Sequence, residues 1–211
     1  MTQTDPRRYS PSAQRNAPPI LAELQRVLPA TGLLLEVASG TGQHAAHCAP
    51  GLPGWHWQPT EHEADALPSI RAWCAGLERV RPPLRLDVLA WPWPRELPSE
   101  VDAVFCANMI HIAPWPCTAA LMRGTAALLS PTGVLVTYGP YLEDGVATSP
   151  GNLAFDADLR ARDPAWGLRR VAEVAERARA EGLVLRERVP MPANNLLLLW
   201  ARAPVGPDAA S

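Results

Sequence analysis

Short apolar runs alternate with helical stretches along most of the chain, and no other feature restricts its fold so much. The runs are "LLLEVA" at 33–38, "GWHWQPTE" at 54–61, "PPLRLDVL" at 82–89, "VDAVFCANMIHI" at 101–112 and "VLVTYGP" at 134–140. Each is strand-length and bounded by glycine, proline or a polar cluster. Between them lie helical patterns such as "QHAAHCA", "EADALPSIRAWCAGL" and "WPCTAALMRGTAALLSPTG". Strands alternating with helices give a parallel sheet with right-handed crossovers. The last two runs, "LVLRERVP" and "NNLLLLWARA", are joined only by "MPA" and read as an antiparallel hairpin. The predicted fold is α/β and Rossmann-like: a seven-stranded, mostly parallel sheet with a C-terminal antiparallel hairpin and helices on both faces.

A chain of 211 residues supports one sizeable core. Residues 1–16 read as a flexible polar arm, 17–203 as the domain and 204–211 as a disordered tail. "APPILAELQRVLP" reads as a helix with Pro18 and Pro19 in its first turn, and Pro68 as a kink in a later one. The formal net charge of −2 gives no basic face for nucleic acid, so none is expected as a partner. No run approaches the length of a membrane span, and "MTQTDPRRYS" lacks the apolar stretch of a signal peptide. The four cysteines form no C-x-x-C and sit in apolar surroundings, which points to reduced thiols and a cytoplasmic setting.

In open α/β sheets ligands bind beyond the carboxyl ends of the strands. The polar strand ends here are Glu36 to Gly42, Glu61, Asp87, and Asn108 to His111. Gly40-x-Gly42-x-x-Ala45, with Glu61 further on, fits a loose dinucleotide fingerprint. A nicotinamide-dependent oxidoreductase is therefore one reading. Against it, Glu36 lies inside the fingerprint, where an acid repels pyrophosphate and suits a cationic ligand, and the sheet closes on a hairpin.

This arrangement resembles the class I S-adenosylmethionine-dependent methyltransferases over about residues 30–203. Glu36-Val37-Ala38-Ser39-Gly40-Thr41-Gly42 matches their first motif, except that Ala38 stands where a glycine is usual. The resemblance implies that Glu61 grips the donor's ribose and Asp87 its adenine amine, while Asn108 and Met109 pass beneath it. A closer resemblance, carried by "SPSAQRNAPPIL", "EVASGTGQHA", "WQPTE", "RPPLRLDV", "FCANMIHIAPW", "YGPY", "ARDPAWGLR" and "MPANNLLL", is to the DUF938 or methyltransferase-like 26 group. It implies the same fold and S-adenosyl-L-methionine as cofactor, with a small-molecule acceptor expected and its identity left open. A catalytically silent donor-binding protein on the same fold is the alternative from another class.

The cofactor-binding candidates are Glu36, Ala38, Ser39, Gly40, Thr41, Gly42, His44, Glu61, Asp87, Asn108 and Met109. His111 is the candidate general base, because an imidazole near neutral pKa at the mouth of the fourth strand can take a proton from a protonated acceptor. Arg15, Asn16, Tyr138, Tyr141, Asn194 and Asn195 are the acceptor-side candidates from their arm or strand-end positions. His44, His47, Cys48 and His111 lack a further ligand at recognisable spacing, so no metal is expected. Pro116-Cys117 falls inside a helix and reads as packing, and the tryptophans mostly as core or loop.

Overall fold

The computed structural model describes residues 5–204. Its order is α1 (Pro11–Val27), β1 (Gly32–Val37), α2 (Gln43–Cys48), β2 (Trp55–Glu61), α3 (Leu67–Trp73), β3 (Leu84–Arg85), β4 (Val101–Ala107), α4 (Pro116–Leu128), β5 (Leu129–Gly139), α5 (Pro150–Arg162), α6 (Val171–Ala180), β6 (Leu183–Met191) and β7 (Asn195–Arg202). The seven strands form one sheet in the order β3-β2-β1-β4-β5-β7-β6. The pairings are parallel from β3 across to β5, and β7 is antiparallel to both β5 and β6. The expected architecture is the one observed.

Period-two alternation along the central strands feeds two cores. Leu35, Val37 and Val104 face the layer of α4 and α6. Leu34, Ala103 and Phe105 face the layer of α1 and α2, where Ile20, Leu24, Trp55 and Trp57 pack. Trp55, Trp57 and Trp93 are core, whereas Trp91 is exposed beneath the Arg123 guanidinium. Among the described residues no helix is long and apolar enough to cross a membrane.

Three local expectations are corrected. The first helix begins at Pro11, so residues 11–16 are helical and not arm. Ser10 caps it by accepting from the Ala13 amide, and Pro11 takes the first helical position, where its missing N–H costs nothing. Pro18 and Pro19 fall in its interior instead, and burial of Ile20 and Leu24, worth about 1.5–3 kcal/mol each, offsets the lost hydrogen bonds. Pro68 starts α3 and does not kink it. Residues 1–4 of the expected arm and 205–211 of the expected tail lie outside the described residues.

Candidate functional site

The strand order reverses between β1 and β4, and a cavity of about 680 Å³ opens there. Its floor is the turn after β1. Ala38, Gly40 and Gly42 all take left-handed backbone, at φ 59°, 57° and 92°. For Ala38 that conformation costs about 1–2 kcal/mol, which a glycine would not pay. Gly42 has a second constraint: a Cβ there would lie 2.7 Å from the Ile70 Cα, so α3 can approach α2 only over a glycine. The turn is bonded to its neighbour strand, with the Ser39 amide donating to the Thr60 carbonyl at 2.8 Å and the Gly40 amide to Glu61 Oε2 at 2.7 Å.

Glu61 ends β2 and is nearly buried. Its Oε1 accepts from the His62 amide at 2.7 Å and the Glu63 amide at 3.3 Å. Asp87 lies two residues beyond β3 and accepts from the Leu89 amide at 2.9 Å. Its Oδ2 is 4.0 Å from His62 Nδ1, an ion pair when that imidazole is protonated. Glu61, Glu63 and Asp87 are the carboxylates bordering the cavity, and no arginine borders it among the described residues. Across the switch point the wall turns apolar, with Ala107, Met109, Ile112, Ala113, Pro114 and Trp166 around Asn108.

Of the expected cofactor residues, Ala38, Ser39, Gly40, Thr41, His44, Glu61, Asp87, Asn108 and Met109 all border this cavity. Gly42 supports it from behind as the N-cap of α2. Glu36 is corrected. Alternation puts it on the same face as Leu34, inside the α1–α2 layer, where its Oε2 accepts from Trp57 Nε1 at 2.9 Å. Burial raises its pKa to about 7, with the Trp57 hydrogen bond pulling the other way. His44 is buried at the cavity wall, edge-on to Phe105, and burial together with His47 lowers it to about 4.

His111 is also corrected: it is fully buried and does not border the cavity. Asn108 takes a left-handed conformation and the His111 amide donates back to the Asn108 carbonyl, which turns the chain under the strand ends. The imidazole lies edge-on to Tyr141 at 4.7 Å, and its Nε2 is 2.5 Å from where a Gly139 Cβ would stand. Neither ring nitrogen has a hydrogen-bonding partner among the described residues. Burial, and next the charge of Arg169, lower its pKa to about 3, so it is neutral at physiological pH and shut away from solvent.

None of the six acceptor-side candidates borders the cavity. Arg15 and Asn16 sit on α1, with Arg15 reaching Ser12 Oγ at 3.2 Å, and it is Ser10, Ser12 and Ala13 that reach the site. Tyr138 is core beneath α1 and Tyr141 is core on the other face. Asn194 accepts from the Ser149 amide at 2.9 Å and so braces the start of α5, while Asn195 donates to the Pro192 carbonyl within its own turn. His47 is exposed and Cys48 buried, and among the described residues no three His, Cys, Asp or Glu side chains cluster as a metal site.

Sequence reasoning missed His62, Glu63 and Trp166, while Cys117, read as packing, is core and also borders the cavity. His62 and Glu63 follow Glu61 directly, so the strand-end rule applied one residue further would have found them. The Cys117 thiol is held protonated by burial, which raises its pKa, and it packs against the cavity from α4. Trp166 carries no local signal of its place, because a loop between two helices brings it in from far along the chain.

Solved structures share this fold. The pyocyanin biosynthetic protein PhzM matches at TM-score 0.72 and 20% identity, over 90% of this chain and 55% of its own. The calicheamicin-biosynthesis methyltransferase CalO1, in an SAH-bound form, matches at 0.70 and 19%, over 87% and 54%. The S-adenosylmethionine-dependent methyltransferase SibL matches at 0.74 and 22%, over 90% and 55%. The fold is therefore that of the class I methyltransferases, and this chain spans about half the length of the solved chains it matches. Residues 7–202 match the family described as "Protein of unknown function (DUF938)", and the chain belongs to that family.

Proposed function

We propose that this protein transfers a methyl group from S-adenosylmethionine to a small-molecule acceptor. The observation that carries the proposal is the sign of charge in the cavity. Glu61, Glu63 and Asp87 border it, no described arginine does, and the Gly40 amide is already held by a carboxylate. A dinucleotide's pyrophosphate would meet repulsion there. A donor with an ammonium, a sulfonium and no phosphate would not. The volume suits a ligand of that size. The methyltransferases named above share the fold, which supports the reading.

When bound, S-adenosylmethionine supplies an electrophilic methyl group on sulfur. In this reading Glu61 accepts from ribose hydroxyls, Asp87 accepts from the adenine amine, and the turn from Ala38 to Thr41 holds the methionine end. Asn108 and Met109 pass beneath. Methyl transfer is an in-line displacement that depends mainly on alignment. The sheltered His111 supplies no base, and His44 at the wall is held neutral by burial. The chain's contribution is to orient two ligands and exclude water between them.

Calorimetry with S-adenosylmethionine, S-adenosylhomocysteine and NAD tests this. The first two are expected to bind and NAD is not. NAD binding more tightly than either would overturn the reading. Methyl transfer into a metabolite library then separates an enzyme from a silent binding protein.

A further inference from the structure

We propose, resting on the methyltransferase reading above, that the acceptor is a neutral planar ring system and that Trp166 is the surface against which it stacks. The donor acids follow β2 and β3, on one side of the switch point. Trp166 enters from the other side. It lies on a strap, residues 163–170, that is fastened to the segments following β4 and β5. The Gly167 amide donates to the His111 carbonyl at 2.9 Å. Arg169 donates to the carbonyls of Ile110 at 3.2 Å and Ala113 at 3.0 Å. The Leu142 amide donates to the Arg169 carbonyl at 2.9 Å.

The strap is also held firmly from behind. The Leu168 amide donates to Asp156 Oδ1 of α5 at 2.7 Å, and within the strap the Ala165 amide donates to Asp163 Oδ1 at 2.8 Å. Gly167 has φ 139°, and a Cβ there would lie 2.8 Å from both Asp156 and Arg160. The Arg162 guanidinium stands over the Trp166 ring at 5.0 Å. The backbone that carries the indole is therefore fixed before any ligand arrives, which lowers the ordering cost of binding.

The chemistry of the acceptor follows from what surrounds the ring. Met109, Ile112 and Pro114 are its apolar companions at the cavity wall, and Trp166 is the only Trp, Tyr or Phe there among the described residues. An anionic acceptor finds no guanidinium on the cavity wall among the described residues: Arg162, over the indole, lies outside the lining, and Arg169 is occupied with backbone carbonyls. A cationic acceptor would be repelled by the sulfonium of the donor. A neutral ring gains both the apolar contact and an oriented aromatic pair.

The test uses the full-length chain, 1-naphthol, and decahydro-1-naphthol as a saturated counterpart with the same skeleton, titrated with and without S-adenosylhomocysteine. Naphthol is expected to bind about 3- to 10-fold more tightly than its saturated counterpart. Trp166→Leu, which keeps apolar bulk and so protects folding, should abolish that preference, and Trp166→Phe should retain most of it. S-adenosylhomocysteine affinity should not change in either variant. Equal binding of the two alcohols by the unaltered protein would overturn the proposal. So would a preference that survives Trp166→Leu, or a loss of S-adenosylhomocysteine affinity in that variant, which would assign the indole to the donor. If S-adenosylhomocysteine fails to bind while naphthol keeps its dependence on Trp166, the donor reading fails and the ring-stacking surface stands.

Discussion

The two halves of the cavity are built in different ways. The half following β1, β2 and β3 is acidic and made from residues at or just beyond strand ends, cross-linked by backbone amides to Glu61 and Asp87. The half following β4 and β5 is apolar. It is assembled from the 108–114 turn and a strap that arrives from between α5 and α6. Three short strand-end segments suffice for the first half, whereas the second needs distant segments held together by packing. A half of the first kind suits one unvarying ligand. A half of the second kind can change its ligand by changing a strap, without disturbing the sheet.

This contrast can be broken by experiment, most strongly at Gly42. Gly42→Ala adds a left-handed penalty and an overlap with the Ile70 backbone, and should cost about 3 kcal/mol of stability in urea unfolding. A loss below 1 kcal/mol would mean that α3 yields easily and the cavity floor is not rigid. Next comes Asp87→Ala. Donor affinity should fall by about 1.5–3 kcal/mol by calorimetry while the unfolding midpoint hardly moves, because this half-exposed carboxylate adds little to the core. Unchanged affinity would place the adenine elsewhere.

Acid should destabilise the protein through its two buried imidazoles. Below pH 6.5 the unfolded His44 and His111 take protons that the folded ones refuse until about 4 and about 3, so the unfolded state gains and stability falls as pH drops. Glu36 works oppositely. Between 4.5 and about 7 its folded form holds a proton that the unfolded form releases, so its contribution falls as pH rises. From pH 6.5 to 4.5 these three groups leave a net loss of about 1 kcal/mol per pH unit on acidification. His111→Gln should nearly flatten that slope, leaving His44 and Glu36 to cancel. Methyl transfer by the same variant should stay within a few-fold of the unaltered protein, in contrast to the roughly 10²–10⁴-fold drop expected on loss of a general base. The smallest effect is expected at Ala38. Ala38→Gly relieves a left-handed alanine but loosens the unfolded chain, for a net gain of about 0.5 kcal/mol in thermal unfolding.

The sequence carried the sheet, its hairpin and most of the acidic half of the cavity, because those depend on local patterns. Alternating apolar runs specify strands, a glycine-rich turn specifies left-handed backbone, and the residue ending a parallel strand must emerge at the carboxyl edge. Glu61, Asp87 and Asn108 followed from that rule alone. Which face of a strand or turn a side chain enters was decided only by tertiary structure. Glu36 is one residue too early in its strand and the pleat points it at Trp57. His111 is beyond its strand, yet the Asn108 turn folds it back beneath the sheet edge. Tyr138 and Tyr141 lie close together in sequence and are buried in opposite layers. Trp166 borders the site through hydrogen bonds from Gly167 and Arg169 to residues more than fifty positions away. Such contacts have no sequence period to reveal them, because they arise only when separate elements pack together.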